Sequence, residues 1–452
     1  MNTENKQLKV GAGCGEIVFD KEMFPAEGFS GAVHDNPHAR ILIIEGDIRM
    51  AIAAIELVVV AKPFVVQIKN IIHEIAGVEE ENIWVHGTHA ISTPHAPGPK
   101  PIGPPELRKQ PTEREKVQRA LFTEALNKAV KEAAEAAAQS LVPAKMGYAV
   151  GSSNVNISSR VQDKDHGMMS DIEGLDITDK DLTVIRFDTL DGAPIGILLN
   201  YCLMSNAIDN SEMQAGTRQI SSDVPGKACM LLEEKYGVPV MFCMAAGADQ
   251  KPREQACYPV KDAEGNRVMV DKGVAYGLEL VDKFGSELAD DAGKIIDGIT
   301  CTDESPVVAI ASSSVVVKNR PRPQGFGGPG GNPNGGKAPG ENGHKPEGAK
   351  GPEGKGPADP GTAELAVLAA RIGGIGLVAT NPELCCATEL ELKEKSPFER
   401  TLLISFTDGP KGIMADKGSF AKECGEQKGS FAEEGSAEKF VESAVKVLNV
   451  LK

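Results

Sequence analysis

The sequence predicts an α/β protein with a mixed β-sheet core flanked by helices, and three observations predict it. Short β-branched apolar runs bounded by Gly and Asp recur along the chain, segments of helical period lie between them, and several runs end in polar clusters. In order, Ala39 to Val60 is broken at Gly46 and Asp47 and reads as two paired strands. Lys62 to Ala76 carries apolar residues at helical spacing and stops at Gly77, after which NIWVHGTH reads as a strand. A Pro-rich loop, Pro94 to Pro105, leads to a long helix from about Thr112 to Ser140. Leu182 to Asp188 and Pro194 to Met204 read as strands joined at Asp191 and Gly192. A helix follows, with Pro225 in its first turn and Gly237 as its stop, and then the buried strand VPVMFCMAA.

Composition bounds the function. Of 452 residues, 41 % are hydrophobic and 25 % charged, which is globular content with apolar area enough for a large core. Lys plus Arg total 48 against 64 for Asp plus Glu, and a net charge of −16 argues against nucleic acid as a partner. No apolar run reaches the roughly 20 residues that cross a bilayer, so no stable membrane insertion is expected. The polar N-terminal stretch lacks the apolar segment of a secretory signal, and nine cysteines without CxxC suit a reducing compartment, so a cytoplasmic location is expected. Residues Asn319 to Gly361 are about half Gly and Pro. They are expected to form a disordered insertion in a single domain spanning residues 1–452, since strand-like segments flank them.

Four places could carry chemistry. VHGTHAISTPH holds His86, His89 and His95, three of the eight histidines; a strand-end loop rich in imidazole suits a metal or a proton shuttle, and equally a hydrogen-bonded structural cluster. In QISSDVPGKA, Ser221, Ser222 and Asp223 precede a helix, where they serve as caps or where a serine sees amide donors and a positive dipole end. AAGADQKPR puts Asp249 and Arg253 after an apolar strand. NPELCCATELELK puts Glu383 after another, with Cys385 and Cys386 beside it as packed thiols.

Nine segments, in order, resemble the catalytic domain of the neutral ceramidase family in its shorter bacterial branch: VGAGCGEIVF, EGFSGAVHDNPHARILIIEGD, ENIWVHGTHAISTPH, NVNISSRV, GAPIGILLNYCLM, ISSDVPGKA, AAGADQKP, NPE and LLISFTDGPKGIMAD. The resemblance implies a zinc ion held by two His, a Glu and a Tyr beside a serine in an ISxD segment, and hydrolysis of an amide bond. His89 matches the first histidine of the family's THTHS segment, and Ile91 stands where the second belongs. Met204 replaces the histidine of NYxxH, and Ile413 the ligand tyrosine. His89 and Glu383 remain as metal ligands, with His95 or His86 as substitutes for a lost one. Ser221, Arg160 and Asp249 are the implied catalytic residues; His86, Arg160 and Asp223 the implied substrate contacts. The expected activity is hydrolysis of an amide or related carbonyl bond in a small or acylated substrate, with a retired, ligand-binding relative as the alternative.

Overall fold

The computed structural model describes residues 6–97, 110–159, 161–163, 167–169, 177–208, 218–261, 267–320, 361–422 and 424–452. VGAGCGE forms strand β1 (Lys9–Glu16), paired antiparallel to β2 (His38–Glu45), which turns at Gly46 into β3 (Arg49–Ile55) with Glu45 opposite Arg49. The glycines of β1 have a steric cause. A Cβ on Gly11 or Gly13 would lie 2.0 Å from the carbonyl oxygen of Ala137 or Ala133, so only this face lets the helix above approach so closely. That helix, α2 (Glu113–Gln139), starts at a capping box made by Thr112 and Glu115 and presents an alanine ridge, Ala129, Ala133 and Ala137, to the glycine face.

Helix α1 (Lys62–Ala76) has the bounds its periodicity predicts. Phe64, Val65, Ile68, Ile72 and Ala76 form one buried stripe, and Gly77, at φ 62°, caps it by donating its N–H to His73 O. Strand β4 (Ile83–Gly87) then pairs parallel to β3, completing a β-α-β unit. Strands β5 (Val142–Ser152), β6 (Asp181–Thr189), β7 (Pro194–Tyr201) and β8 (Val240–Met244) extend the sheet on the other side of β1, giving eight strands in the order β8-β7-β6-β5-β1-β2-β3-β4. Strands β7 and β8 are parallel, and α3 (Asp223–Tyr236) lies between them in sequence.

A second sheet was not separated from the first by the sequence. It contains β9 (Val308–Lys318), β10 (Thr362–Ile372), β11 (Ile375–Ala379) and β12 (Arg400–Ile404), in that order, with β11 and β12 parallel. Lys318 pairs with Thr362 and Asn319 donates to Gly361 O, so the sheet closes across the Gly- and Pro-rich segment, whose residues 321–360 lie outside the described residues.

The two sheets pack face to face through Leu42, Ile52, Trp84, Leu198 and Met241 on one and Ala370, Ile375, Leu377 and Leu402 on the other. Helices α1 and α2 cover one half of the outer face of the large sheet, and α3 with α4 (Gly273–Gly298) cover the other. Helices α5 (Cys386–Lys395) and α6 (Ser436–Leu451) cover the small sheet. The result is a four-layer α/β/β/α arrangement. No described helix is long and apolar enough to cross a membrane.

Candidate active site

The carboxyl ends of β4, β7, β8, β11 and β12 meet, which is where open α/β sheets place ligands. The backbone stitches them together: Ser405 N–H donates to Met244 O at 3.0 Å, Ala245 N–H to Tyr201 O at 3.1 Å, and Thr380 N–H to Ile404 O at 3.1 Å. His86 is one of the stitches. Its Nε2 accepts the Met244 N–H at 3.0 Å, so its proton sits on Nδ1, which donates to Ser405 O at 2.6 Å. Burial pushes its pKa down to about 4. With both nitrogens taken, His86 cannot bind substrate or replace a metal ligand, which corrects the sequence expectation.

His89 occupies the loop after β4 in the left-handed region, at φ 58°, where a side chain is held only by its surroundings. Its Nδ1 donates to Val58 O at 2.9 Å and its ring lies against Phe406, centroids 4.5 Å apart. Nε2 is therefore the unprotonated nitrogen, and burial lowers the pKa to about 4. His95 turns elsewhere: its Nδ1 lies 2.9 Å from Glu27 Oε2, and the pair is partly exposed. As a substitute ligand it keeps only its other nitrogen.

The serine side of the site is built from the same loop. Ser221 N–H donates to Ser92 O at 3.0 Å, and Ile91 N–H donates to Ser205 O at 3.1 Å just past the end of β7. Ser221 Oγ donates to Asp35 Oδ2 at 2.6 Å and accepts the Asp223 N–H at 3.0 Å. Ser222 gives Asp35 both its N–H, at 2.7 Å, and its hydroxyl. Asp223, at φ 60°, accepts the N–H groups of Ala207 at 3.0 Å, Val224 at 2.8 Å and Ile208 at 3.4 Å. Burial raises its pKa to about 6 against the pull of those donors. The expected substrate contact at Asp223 is therefore corrected to a brace that fixes the turn, because its oxygens are committed to backbone.

Behind this turn lies a buried charge network. Arg40 donates to Glu56, and through Nε at 2.6 Å and Nη2 at 3.0 Å to Glu233. Burial opposes both charges, yet their attraction holds Arg40 above and Glu56 below its ordinary range. A Cβ on Gly226 would lie 2.2 Å from Ser222 and 2.9 Å from Glu56, so the glycine of ISSDVPGKA lets the serine turn sit directly on the network.

The carboxylate side differs. Glu383 begins a two-residue strand paired with Ile413, and Phe406 N–H reaches Pro382 O at 3.5 Å, so Glu383 sits beside the loop that carries the His89 contact. It is 1 % exposed, and among the described residues its Oε1 has no hydrogen-bond partner. Burial first, then the charges of Asp249 and Glu426, raise its pKa to about 8. Asp249 Oδ1 accepts the Cys386 N–H at 2.8 Å, capping α5 from the loop after β8. Met204 N–H donates to Gln250 O at 3.0 Å, which ties the β7 end to the same loop. Arg160 lies outside the described residues.

The donor set does not fit a catalytic zinc ion. His89 Nε2 and the Glu383 orphan oxygen are suitable, but Met204 offers a weak thioether already accepting from Asn206 at 3.2 Å, and Ile413 offers nothing. Catalytic zinc takes three protein ligands. A second group, Asp179, Cys202 and Glu389, brings ligand atoms within 4.8 Å of one another. There Lys393 already supplies the cation, 2.6 Å from Asp179 and 2.8 Å from Glu389. A groove of about 990 Å³ lined by Glu74, Lys116, Arg119 and Lys128 lies between α1 and α2 and contains none of the candidate residues.

Solved structures match the fold over nearly the whole chain. A neutral ceramidase from Pseudomonas aeruginosa superposes with a TM-score of 0.68 at 15 % identity, over 99 % of this chain and 74 % of that one. The fold is that of the neutral ceramidases. A ceramidase complexed with C2 gives the same TM-score at 13 % identity, over 99 % of this chain and 75 % of that one. No family model and no curated protein matches the chain. The ceramidase-like fold expected from nine short segments is thus borne out, and the low identity fits a divergent branch.

Sequence reasoning missed Asp35 and Glu426. Asp35 lies in GAVHDNPHAR, which looks like an ordinary turn; its signal was only that the segment matched the family. Glu426, in a five-residue helix, Gly425–Gly429, accepts from Ser159 at 3.2 Å and carries no pattern that sets it apart.

Proposed function

We propose that this chain is a cytoplasmic hydrolase of an amide or related carbonyl bond in a small or acylated substrate, with Ser221 as the nucleophile. What supports it most is that Ser221 is tied by its N–H to Ser92 O in the loop that carries His89, and that Phe406, against the His89 ring, bonds the segment of Glu383, on a ceramidase-like fold. Ser221 lies beside the first turn of α3, where the Asp223 N–H it accepts and the helix dipole favour developing negative charge on its oxygen. His89, neutral and oriented by Val58, offers Nε2 as a hydrogen-bond acceptor to a water. Arg160 is proposed to polarise the substrate carbonyl through its fork of donors. Zinc carries no step here, since the residues present do not fit it.

The test is hydrolysis of short N-acyl amides by the purified protein with Ser221→Ala and His89→Ala alongside. Ser221→Ala is expected to lose ~10³-fold in kcat/KM. Activity that neither substitution changes would remove the assignment. The alternative, a retired enzyme that keeps a ligand in the old cleft, is favoured by Met204 and Ile413 at the lost ligand positions and by a Ser221 that is 0 % exposed. It predicts no turnover, with a raised melting temperature in the presence of the same amides.

A further inference from the structure

We propose that Asp35 is the general base for Ser221, forming a serine–aspartate dyad that takes the place of metal activation; this rests on Ser221 being the nucleophile. The geometry is that of a nucleophile with its acceptor in place. Ser221 gives its proton to Asp35 Oδ2 at 2.6 Å, and its oxygen accepts the Asp223 N–H at 3.0 Å, a donor that strengthens as negative charge grows on Oγ. One lone pair of Oγ is then left to attack.

Asp35 is not a spectator cap. Its other oxygen, Oδ1, takes both donors of Ser222, which fixes the carboxylate plane so that Oδ2 faces Ser221. The groups facing it are His34, whose Nε2 lies 4.0 Å from Oδ2, and Asp223, whose carboxyl feels its charge; His34 also lies 3.8 Å from Asp282, which Lys227 neutralises at 2.8 Å. The side chains of Asp35 and His34 are 11 % and 26 % exposed, so the dyad reaches solvent although Ser221 itself is covered.

The step balances as follows. Oγ bonds to the acyl carbon while the Oγ–H bond breaks and its proton passes to Asp35. The tetrahedral intermediate expels the amine as the C–N bond breaks, and the amine takes the proton from Asp35. Water then attacks the acyl ester, loses a proton to Asp35, and Ser221 recovers that proton as it leaves. Amide and water become carboxylic acid and amine.

The probe is an alkyl fluorophosphonate, with the rate of covalent modification read by intact mass and the site by peptide mapping. Wild type is expected to be modified at Ser221, and Asp35→Asn, shown to be folded by a cooperative thermal transition, to react at least ~100-fold more slowly at neutral pH. Asp35→Ala is expected to recover part of the rate in added formate, which a purely structural role for Asp35 would not produce. Prior chelation with EDTA is expected to leave the wild-type labelling rate within a few fold, because the dyad takes the place of metal activation, so the proposal stays testable even where Asp35 variants fail to fold. Equal rates for wild type and Asp35→Asn, or a wild-type rate lost on chelation, would overturn the base while leaving Ser221 the nucleophile. Absence of label at Ser221 in wild type would overturn both.

Discussion

Asp35 and Glu383 are carboxylates on two sides of one site, and they are treated in opposite ways. Asp35 receives three donors from Ser221 and Ser222, and the turn it holds rests through Gly226 on the Arg40, Glu56 and Glu233 network. Glu383 is more deeply buried, has one oxygen without a hydrogen bond among the described residues, and sits in the field of two more acids. Complete satisfaction marks a part of the fold that must not move; an unsatisfied buried acid marks a part kept for something other than stability. On the second side Met204 offers only a weak thioether and Ile413 no donor at all. One half of the site is held by its hydrogen bonds and the other is not, and each prediction below presses on that contrast.

The largest effect is expected from Arg40→Met. It leaves Glu56 buried without its cation and releases Glu233, a loss of about 3–5 kcal/mol by chemical denaturation. A loss below about 1 kcal/mol would mean that the serine turn does not rest on this network.

Next is the metal. Equilibrium dialysis is expected to find wild type without stoichiometric zinc after chelation and reloading. Met204→His combined with Ile413→Tyr, which restores the full ligand set beside His89 and Glu383, is expected to raise zinc affinity at least ~100-fold. Tight stoichiometric zinc in wild type would show that the carboxylate side is less dismantled than its residues indicate.

The third effect is a pH slope on the serine side. Asp223 has a pKa of about 6 in the folded chain against an ordinary 3.8. The folded state therefore holds the proton more tightly, so this group's stabilising contribution is complete below pH 3.8 and is lost as pH rises through 6. The gap corresponds to a few kcal/mol at most, roughly 1–3. Asp223→Asn is expected to flatten this part of the stability profile between pH 4 and 7; an unchanged slope would assign it to another group.

What the sequence made legible follows from the range of the interactions involved. Helices α1 and α3 end where Gly77 and Gly237 stand, because a left-handed cap is written in one residue. The strands carrying His89, Asp249 and Glu383 were legible as apolar runs with polar ends. The division into two sheets was not, because β-branched runs do not state which partners they choose. The pairing of Ser221 with Asp35 was not, because it spans 186 residues and one end lies in a turn of unremarkable composition. His86 was misread for a related reason: three histidines in a loop look alike in sequence, and only the backbone of β8 and β12 shows that one of them is consumed as a brace.

The smallest effect is the one that separates the two sides most cleanly. Glu383→Gln keeps the shape of the side chain and removes its charge from the neighbourhood of Asp249 and Glu426. A buried carboxylate with an unsatisfied oxygen costs free energy, and the neutral amide brings two donors to a place rich in acceptors. The expected change at pH 8 to 9 is neutral to stabilising, up to about 2 kcal/mol, by urea denaturation. The matching change on the serine side, Asp35→Asn, exchanges an acceptor of three hydrogen bonds for an amide that presents donors to donors, and it is expected to cost about 1–2 kcal/mol even where the protein still folds. Opposite signs for these two isosteric changes would establish that one carboxylate supports the fold and the other burdens it. Equal losses would mean that Glu383, too, has a structural partner, and the contrast between the two sides would vanish.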